Sequence, residues 1–272
     1  MYLTRHQTPD GPRWAVDGSF LPRDLSLRSL LQQPAAALTS LLKAAPRDRP
    51  AAGDLLAPVE ADQEVWACGV TYLRSREARE AESTVKDVYA RVYEAKRPEL
   101  FFKSIGWRVV GHGKPIRVRN DSAWNVPEPE LTLVVNAEGT IVGYTAGNDV
   151  SSRDIEGENP LYLPQAKVYE GSSAVGPGIQ IADADTLRDL PIQISLFRQR
   201  VSVFEGAIRT SQIKRPLEEL VHYLRMELAF PNGVFLMTGT GIVPPHEFSM
   251  SRGDLVRITI GDLTLENSVS LT

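Results

Sequence analysis

The chain has 272 residues, 42% of them hydrophobic and 24% charged, with a formal net charge of −4, an ordinary globular composition with room for one large domain and a smaller one. A mildly acidic chain has no electrostatic reason to bind nucleic acid or an anionic membrane surface. Its single cysteine, Cys68, excludes an intrachain disulfide and a cysteine-rich metal site, and no apolar stretch approaches the length of a membrane span. Residues 1–6 lack the apolar core of a signal peptide, so the expected location is the cytoplasm.

Residues 1–60 read as a small N-terminal domain and linker, and residues 61–272 as the main domain. Residues 13–21 suit a short hairpin turning at Asp17-Gly18. Leucines at helical spacing run through residues 25–45 and break at Pro34, which predicts two short helices. Pro46, Pro50, Gly53 and Pro58 mark the linker. A strand over residues 65–70 opens the main domain, with Cys68 as a buried small hydrophobe.

Residues 74–97 are highly charged and compatible with helix. Their few apolar anchors are Val85, Val88, Tyr89, Val92 and Tyr93, which predicts a mobile cover rather than core. Residues 98–103 read as a strand with Glu99, Phe101 and Lys103 on one face. Gly111-His112-Gly113 marks a turn. Residues 151–164 read as a polar loop. A helix over residues 217–229 stops at Pro231-Asn232-Gly233. The strand that follows runs into Thr238-Gly239-Thr240-Gly241, which lacks both the phosphate-loop lysine and the dinucleotide glycine spacing. Residues 253–262 are strand and turn again. The fold class is α+β, mainly β.

The hairpin over residues 126–149 organises the rest. Glu128-Pro129-Glu130 puts two carboxylates on one face of an extended segment, because side chains alternate along a strand. The apolar run to Val135, the turn Asn136-Ala137-Glu138-Gly139 and a second β-rich run to Asp149 complete it. If Val135 pairs with Thr140 across a four-residue loop, Glu130 faces Thr145 and Glu128 faces Gly147. Asp149 then lies one step beyond on the same face. A two-residue turn keeps that parity, and a three-residue loop reverses it. Cross-strand neighbours lie ~5 Å apart, so three carboxylates meet at the open end. Such a cluster calls for a cation, and a hard divalent ion with oxygen ligands is the simplest. The alternative is a solvated strand face that ends in acids.

Several segments, in this order, resemble the fumarylacetoacetate hydrolase family: Gly69-Val70-Thr71-Tyr72, residues 98–103, Glu128-Pro129-Glu130, residues 147–154, Lys167, Gly176-Pro177, residues 238–241 and Gly253-Asp254. The resemblance covers roughly residues 64–270. It implies a mixed β-roll with a small N-terminal domain, in a homodimer or higher homo-oligomer. It also implies Mg²⁺ (with Mn²⁺ or Ca²⁺ as alternatives) on Glu128, Glu130 and Asp149, with Lys167 beside it. Family hydrolases carry a histidine three residues after the tyrosine, as the base for carbon–carbon cleavage. Ser75 stands there in this chain. The family's Lys-x-x-Asp is here Lys167-Val168-Tyr169-Glu170.

Tyr72-Leu73-Arg74-Ser75 and residues 96–103 are most similar to the branch that dehydrates 2-keto-3-deoxy sugar acids. The implied reaction takes 2-keto-3-deoxy-D-arabinonate to 2,5-dioxopentanoate, by C3 deprotonation to an enolate held by the ion and loss of the C4 hydroxyl. Lys167 is assigned to proton transfer or enolate stabilisation, against a plainer role in charge balance. Glu99 and Ser75 are candidates for the proton at the leaving hydroxyl. Lys103, Thr240 and Arg74 are candidate substrate contacts, Lys103 pairing either with a substrate carboxylate or with Glu99. Arg74, Arg76 and Arg79 read as a solvated face, with the alternative that one of them reaches an anionic substrate, and His6, His112, His222 and His246 read as structural or surface residues. Two other functions remain open. One is a hydrolase of a 2,4-diketo acid, with a substitute base on the cover such as Glu94. The other is a non-catalytic module that binds metal or oxo-acid, with Lys167 pointing away from the acids. The expected partners are a small 2-oxo acid and further copies of the chain.

Overall fold

The computed structural model describes residues 1–82 and 86–271. Strands β1 (Tyr2–Thr8), β2 (Gly11–Val16) and β3 (Ser19–Phe20) form a meander. It turns at Asp17 and Gly18 with φ of 48° and 79°, the left-handed pair that suits a tight hairpin. Helices α1 (Leu27–Leu31) and α2 (Ala35–Ala44) follow, the first opened by a Ser26–Ser29 capping box and the second by Pro34. After β4 (Leu55–Leu56) and β5 (Glu64–Gly69) come the two cover helices, α3 (Leu73–Glu82) and α4 (Lys86–Glu94). Val85, one of the expected cover anchors, lies outside the described residues. Strands β6 (Glu99–Ile105), β7 (Ile116–Val118) and β8 (Asn125–Val126) lead to the central hairpin, β9 (Pro129–Val135) and β10 (Ile141–Asp149).

The stretch expected to be a loop is instead β11 (Ser151–Ser152), α5 (Arg153–Glu158) and α6 (Leu163–Lys167). These helices carry no apolar period to read. Arg153 and Glu156 stabilise α5 as a buried ion pair one turn apart, and Asn159 accepts a bond from the Leu161 amide before Pro164 starts α6. Strands β12 (Ser173–Ile181), β13 (Pro191–Arg198) and β14 (Val201–Arg209) come next. Helix α7 (Leu217–Arg225) buries Leu217, Leu220, Val221 and Leu224, the i, i+3, i+4, i+7 stripe of an amphipathic helix. Strands β15 (Val234–Met237), β16 (Leu255–Ile260) and β17 (Leu263–Leu271) complete the chain.

The large mixed sheet runs β3-β2-β1-β12-β10-β9-β15-β5-β6, with β4 beside β1, and a second runs β14-β13-β16-β17-β7. Strand β9 is buried along its whole length, as its unbroken apolar run requires of a central strand. Two apolar cores cover the two faces of the large sheet. Leu131, Leu133 and Leu236 pack against the second sheet and α7 on one face. Val65, Val134, Val142, Phe235 and Met237 pack under α1 and α2 on the other. Residues 1–60 thus join the same sheet and the same core as the remainder.

The hairpin register differs from expectation by two residues. The Asn136 amide donates to Thr140 O and Val135 pairs with Ile141, so the loop has three residues, with Gly139 at φ +86°. That loop alone would reverse the parity. A bulge between Ile141 and Gly143 restores it: Glu130 pairs with Gly147, and the Asp149 amide donates to Glu128 O. The three carboxylates therefore share a face, with Asp149 directly opposite Glu128.

Candidate metal centre and active site

Glu128 precedes β9, Glu130 lies near its start, and Asp149 ends β10. One oxygen from each lies within 4.8 Å of the other two, and all three side chains are buried. Burial, with Asp149 and Glu128 close by, pushes the Glu130 carboxyl well above its ordinary range. Without a cation the cluster sheds charge by taking up a proton. A divalent ion relieves the same strain without one, and three buried carboxylates are the hard oxygen donors that Mg²⁺, Mn²⁺ or Ca²⁺ take. The residues present fit the ion. Glu130 is held in place by the Gly239 amide, which donates to Oε2 at 2.7 Å. Gly239 has φ +90°, and a Cβ there would lie 2.1 Å from Thr71 Oγ1, so this amide can be presented only by glycine.

Lys167, the last residue of α6, donates to Glu128 Oε2 at 2.6 Å, Asp149 Oδ2 at 2.9 Å and Ser151 Oγ at 2.7 Å. Burial alone would lower its pKa, but Asp149, Glu128 and Glu156 together outweigh burial and keep it an ammonium. Burial likewise opposes the charge of Glu128, yet Lys167, Arg79 and Arg153 win and hold that carboxyl far below the usual range.

Glu99 faces the same cavity from β6, together with Phe101, Ser75 and Thr240. Burial first, and then the Glu156 charge, push the Glu99 carboxyl up to about 7. It sits directly over Gly69, where a Cβ would meet Glu99 Oε2 at 2.0 Å. Ser75 and Thr240 are both buried, and the Thr240 hydroxyl accepts a bond from the Ile242 amide at 3.2 Å.

Two expected substrate contacts fall elsewhere. Lys103 is fully buried, with Nζ 2.6 Å from Asp149 Oδ1 and further bonds to the carbonyls of Val150 and Lys167. The contact with Oδ1 has ion-pair distance but not hydrogen-bond angles, which leaves a lone pair of Asp149 free for a cation. Lys103 is thereby taken up by a member of the acid triad, and reaches neither Glu99 nor the cavity. Arg74 is 64% exposed and lies 3.9 Å from Glu77. Glu170 is on the surface and pairs with Arg117. None of the four histidines lines the cavity.

Arg79, Glu156 and Arg153 were not expected in the site. Arg79 Nη2 bonds Glu128 Oε1 at 2.5 Å and its Nε lies 3.2 Å from Glu156 Oε1. Arg153 pairs with Glu156 and approaches Glu128 Oε1 at 4.0 Å. The signal for Arg79 was present in the sequence: it lies four residues after Ser75, so a helix that points Ser75 inward points Arg79 inward as well.

The model of the family described as "Fumarylacetoacetate (FAA) hydrolase C-terminal" matches residues 64–270. A protein of Haloferax volcanii named probable 2-keto-3-deoxyxylonate dehydratase is 47% identical over 215 residues, covering 78% of this chain and 74% of that protein. The 2-dehydro-3-deoxy-D-arabinonate dehydratase of Saccharolobus solfataricus is 43% identical over 205 residues, covering 74% and 69%. A solved structure of 2-keto-3-deoxy-D-arabinonate dehydratase complexed with magnesium and 2,5-dioxopentanoate superposes with a TM-score of 0.85 at 35% identity, covering 100% of this chain and 99% of that one. With its sheets, its acid triad and the extent of the match agreeing, the chain belongs to the fumarylacetoacetate hydrolase family.

Proposed function

We propose that the protein is a metal-dependent hydro-lyase that dehydrates a 2-keto-3-deoxy sugar acid, 2-keto-3-deoxy-D-arabinonate to 2,5-dioxopentanoate. The observation that carries this reading is the cavity wall. Where the hydrolases of the family have histidine there is Ser75, while Glu128, Glu130, Lys167 and Glu99 face the cavity and Asp149 completes the acid triad.

When bound on Glu128, Glu130 and Asp149, a divalent ion supplies the positive charge that acidifies C3 of a 2-oxo acid. Lys167, kept as an ammonium by Asp149 and Glu128, contributes charge toward the enolate oxygen rather than removing a proton. Glu99, with a carboxyl near 7, is the cavity carboxyl outside both the triad and the arginine pairs. It takes the C3 proton and returns it to the departing C4 hydroxyl, leaving water and the 5-hydroxy-2-oxo acid unsaturated between C3 and C4, which becomes 2,5-dioxopentanoate when a proton moves from C5 to the carbon chain and another from the C5 hydroxyl. Ser75 donates a hydrogen bond to that hydroxyl, and Thr240 binds the 2-oxo acid. The closed cavity excludes competing water.

The hydrolase alternative loses its support at Glu94, which is 65% exposed and bound to Lys214 Nζ at 2.7 Å, away from the acids. The non-catalytic alternative required Lys167 to point away from the triad, and it points in. The reading includes a homo-oligomer in the cytoplasm. No helix among the described residues is long and apolar enough to cross a membrane. Val201 and Val203 lie exposed on β14, the outer strand of the second sheet, and light scattering on the purified protein would measure the assembly. The test of the function is incubation with Mg²⁺ and 2-keto-3-deoxy-D-arabinonate, with Glu130→Ala as control. Formation of 2,5-dioxopentanoate that the control abolishes is the expected result. Cleavage of an acylpyruvate, with no product from the sugar acid or its epimers, would restore the hydrolase.

A further inference from the structure

The roof of the cavity is held by charge rather than by apolar packing. Among the described residues, neither apolar core contains one from α3 or α4. What ties α3 down inside the protein is Arg79, through Glu128 and Glu156. Ser75 and Arg79 lie one helical turn apart, so whatever fixes Arg79 also fixes Ser75 over the cavity. The cavity beneath is about 20 Å³, room for about one water and none for a five-carbon acid. Helix α3 therefore has to move before substrate enters.

The charges indicate what moves it. Glu99, Glu128, Glu130, Asp149 and Glu156 form one cluster with Arg79, Lys103, Arg153 and Lys167, five carboxylates against four cations. This cluster is near balance before any ion enters. A divalent ion on the triad brings two further positive charges, competes for Glu128 and repels the cations around it. Lys103 cannot leave: two main-chain carbonyls and Asp149 hold it within β6. Lys167 is tied to Ser151 as well as to two carboxylates, and Arg153 to Glu156 on its own helix. Helices α5 and α6 also lie outside both cores, but hydrogen bonds with Ser122, Ala123 and Trp124 anchor α5 and bonds from Lys103, Arg119 and Ser172 anchor α6, whereas among the described contacts α3 meets the buried acids through Arg79.

We propose that Arg79 is a charge-sensitive latch. Loading of the divalent ion loosens Arg79 from Glu128 and frees α3 to admit the substrate. The substrate carboxylate then restores the balance, and Arg79 returns, bringing Ser75 back over the reacting atoms. Arg79 is on this account a positioning residue for Ser75, and the order of binding is metal first. The inference rests on the metal site proposed above.

Hydrogen exchange by mass spectrometry tests it on the full chain in three states: chelator-treated, with Mg²⁺, and with Mg²⁺ plus 2,5-dioxopentanoate. Calorimetry counts the bound ion in parallel. In the wild type, amides of residues 73–82 should exchange about tenfold faster with Mg²⁺ than without and slow again when the product is added. Arg79→Gln should exchange rapidly in all three states while β9 and β10 stay protected and one ion still binds. Arg79→Lys, which keeps the charge, should regain a response to Mg²⁺. A wild-type α3 that ignores Mg²⁺ in a chain shown to hold the ion overturns the latch alone, as does an Arg79→Gln protein that still responds. A wild type that binds no ion overturns the metal site and the latch together.

Discussion

Replacing Glu99 by glutamine separates its charge from its shape. The carboxyl is pushed from an ordinary 4.5 up to about 7 in the folded protein. A carboxyl whose folded value is raised contributes stability that is complete below its unfolded value and is lost as pH rises through the folded one. Above that window the folded protein carries the full cost of the shift, roughly 3.4 kcal/mol at about 1.4 kcal/mol per unit. At pH 5.5 the cost is roughly 1.4 kcal/mol and at pH 8 roughly 3.3 kcal/mol, so about 2 kcal/mol accrues between them. An amide in the same place has no such dependence. Chelator-treated Glu99→Gln should therefore gain on the wild type by roughly 4–8 °C in Tm between pH 5.5 and pH 8. Its kcat should fall roughly 10²- to 10⁴-fold, as expected when a proton-transfer group is removed. The assay is a pair of thermal melts at each pH. A Tm difference that does not change with pH would refute the raised Glu99 carboxyl, whatever happened to the activity.

Gly69→Ala would put a methyl 2.0 Å from Glu99 Oε2. Displacing that carboxylate should lower kcat/KM by about 100-fold, with circular dichroism unchanged. Lys103→Met removes one of the two buried cations beside Asp149 and should cost about 3 kcal/mol in denaturant melts, because a buried charge loses part of its compensation. Arg74→Ala should leave KM within about twofold, since an exposed arginine paired only on the surface contributes little. A larger rise in KM would return Arg74 to the substrate site.

How legible the site was depended on periodicity. The period of two along a strand puts Glu128 and Glu130 on one face whatever their partner, but whether Asp149 joins them depends on the parity of the pairing. The pairing could not be read. The turn chemistry of Asn136 to Gly139 fits several loops, and nothing in the apolar run announces a bulge at Val142. Loop and bulge each shift the register by one, and their effects on parity cancel. Arg79 was missed for a different reason. A helix with a charged face normally turns that face to water, but here the body beneath it is itself a charged cluster, so the usual reading inverts. The helices after Ser152 were missed because they are short and fixed by an ion pair and a side-chain cap, which leave no apolar stripe.

The family match begins at residue 64, yet the sheet does not begin there. Strand β1 pairs with β12 through Tyr2–Gln180 and Leu3–Ile179. Helices α1 and α2 cover Val65, Val134, Phe235 and Met237. Cutting the chain at residue 60 would strip the outer half of β12 of its neighbour and uncover a whole apolar sheet face. The exposed edge would be a template for pairing with other chains. The matched segment alone should therefore aggregate on expression, and supplying residues 1–60 as a separate polypeptide should rescue it, because the missing piece is a lid on the core and not a neighbour to it.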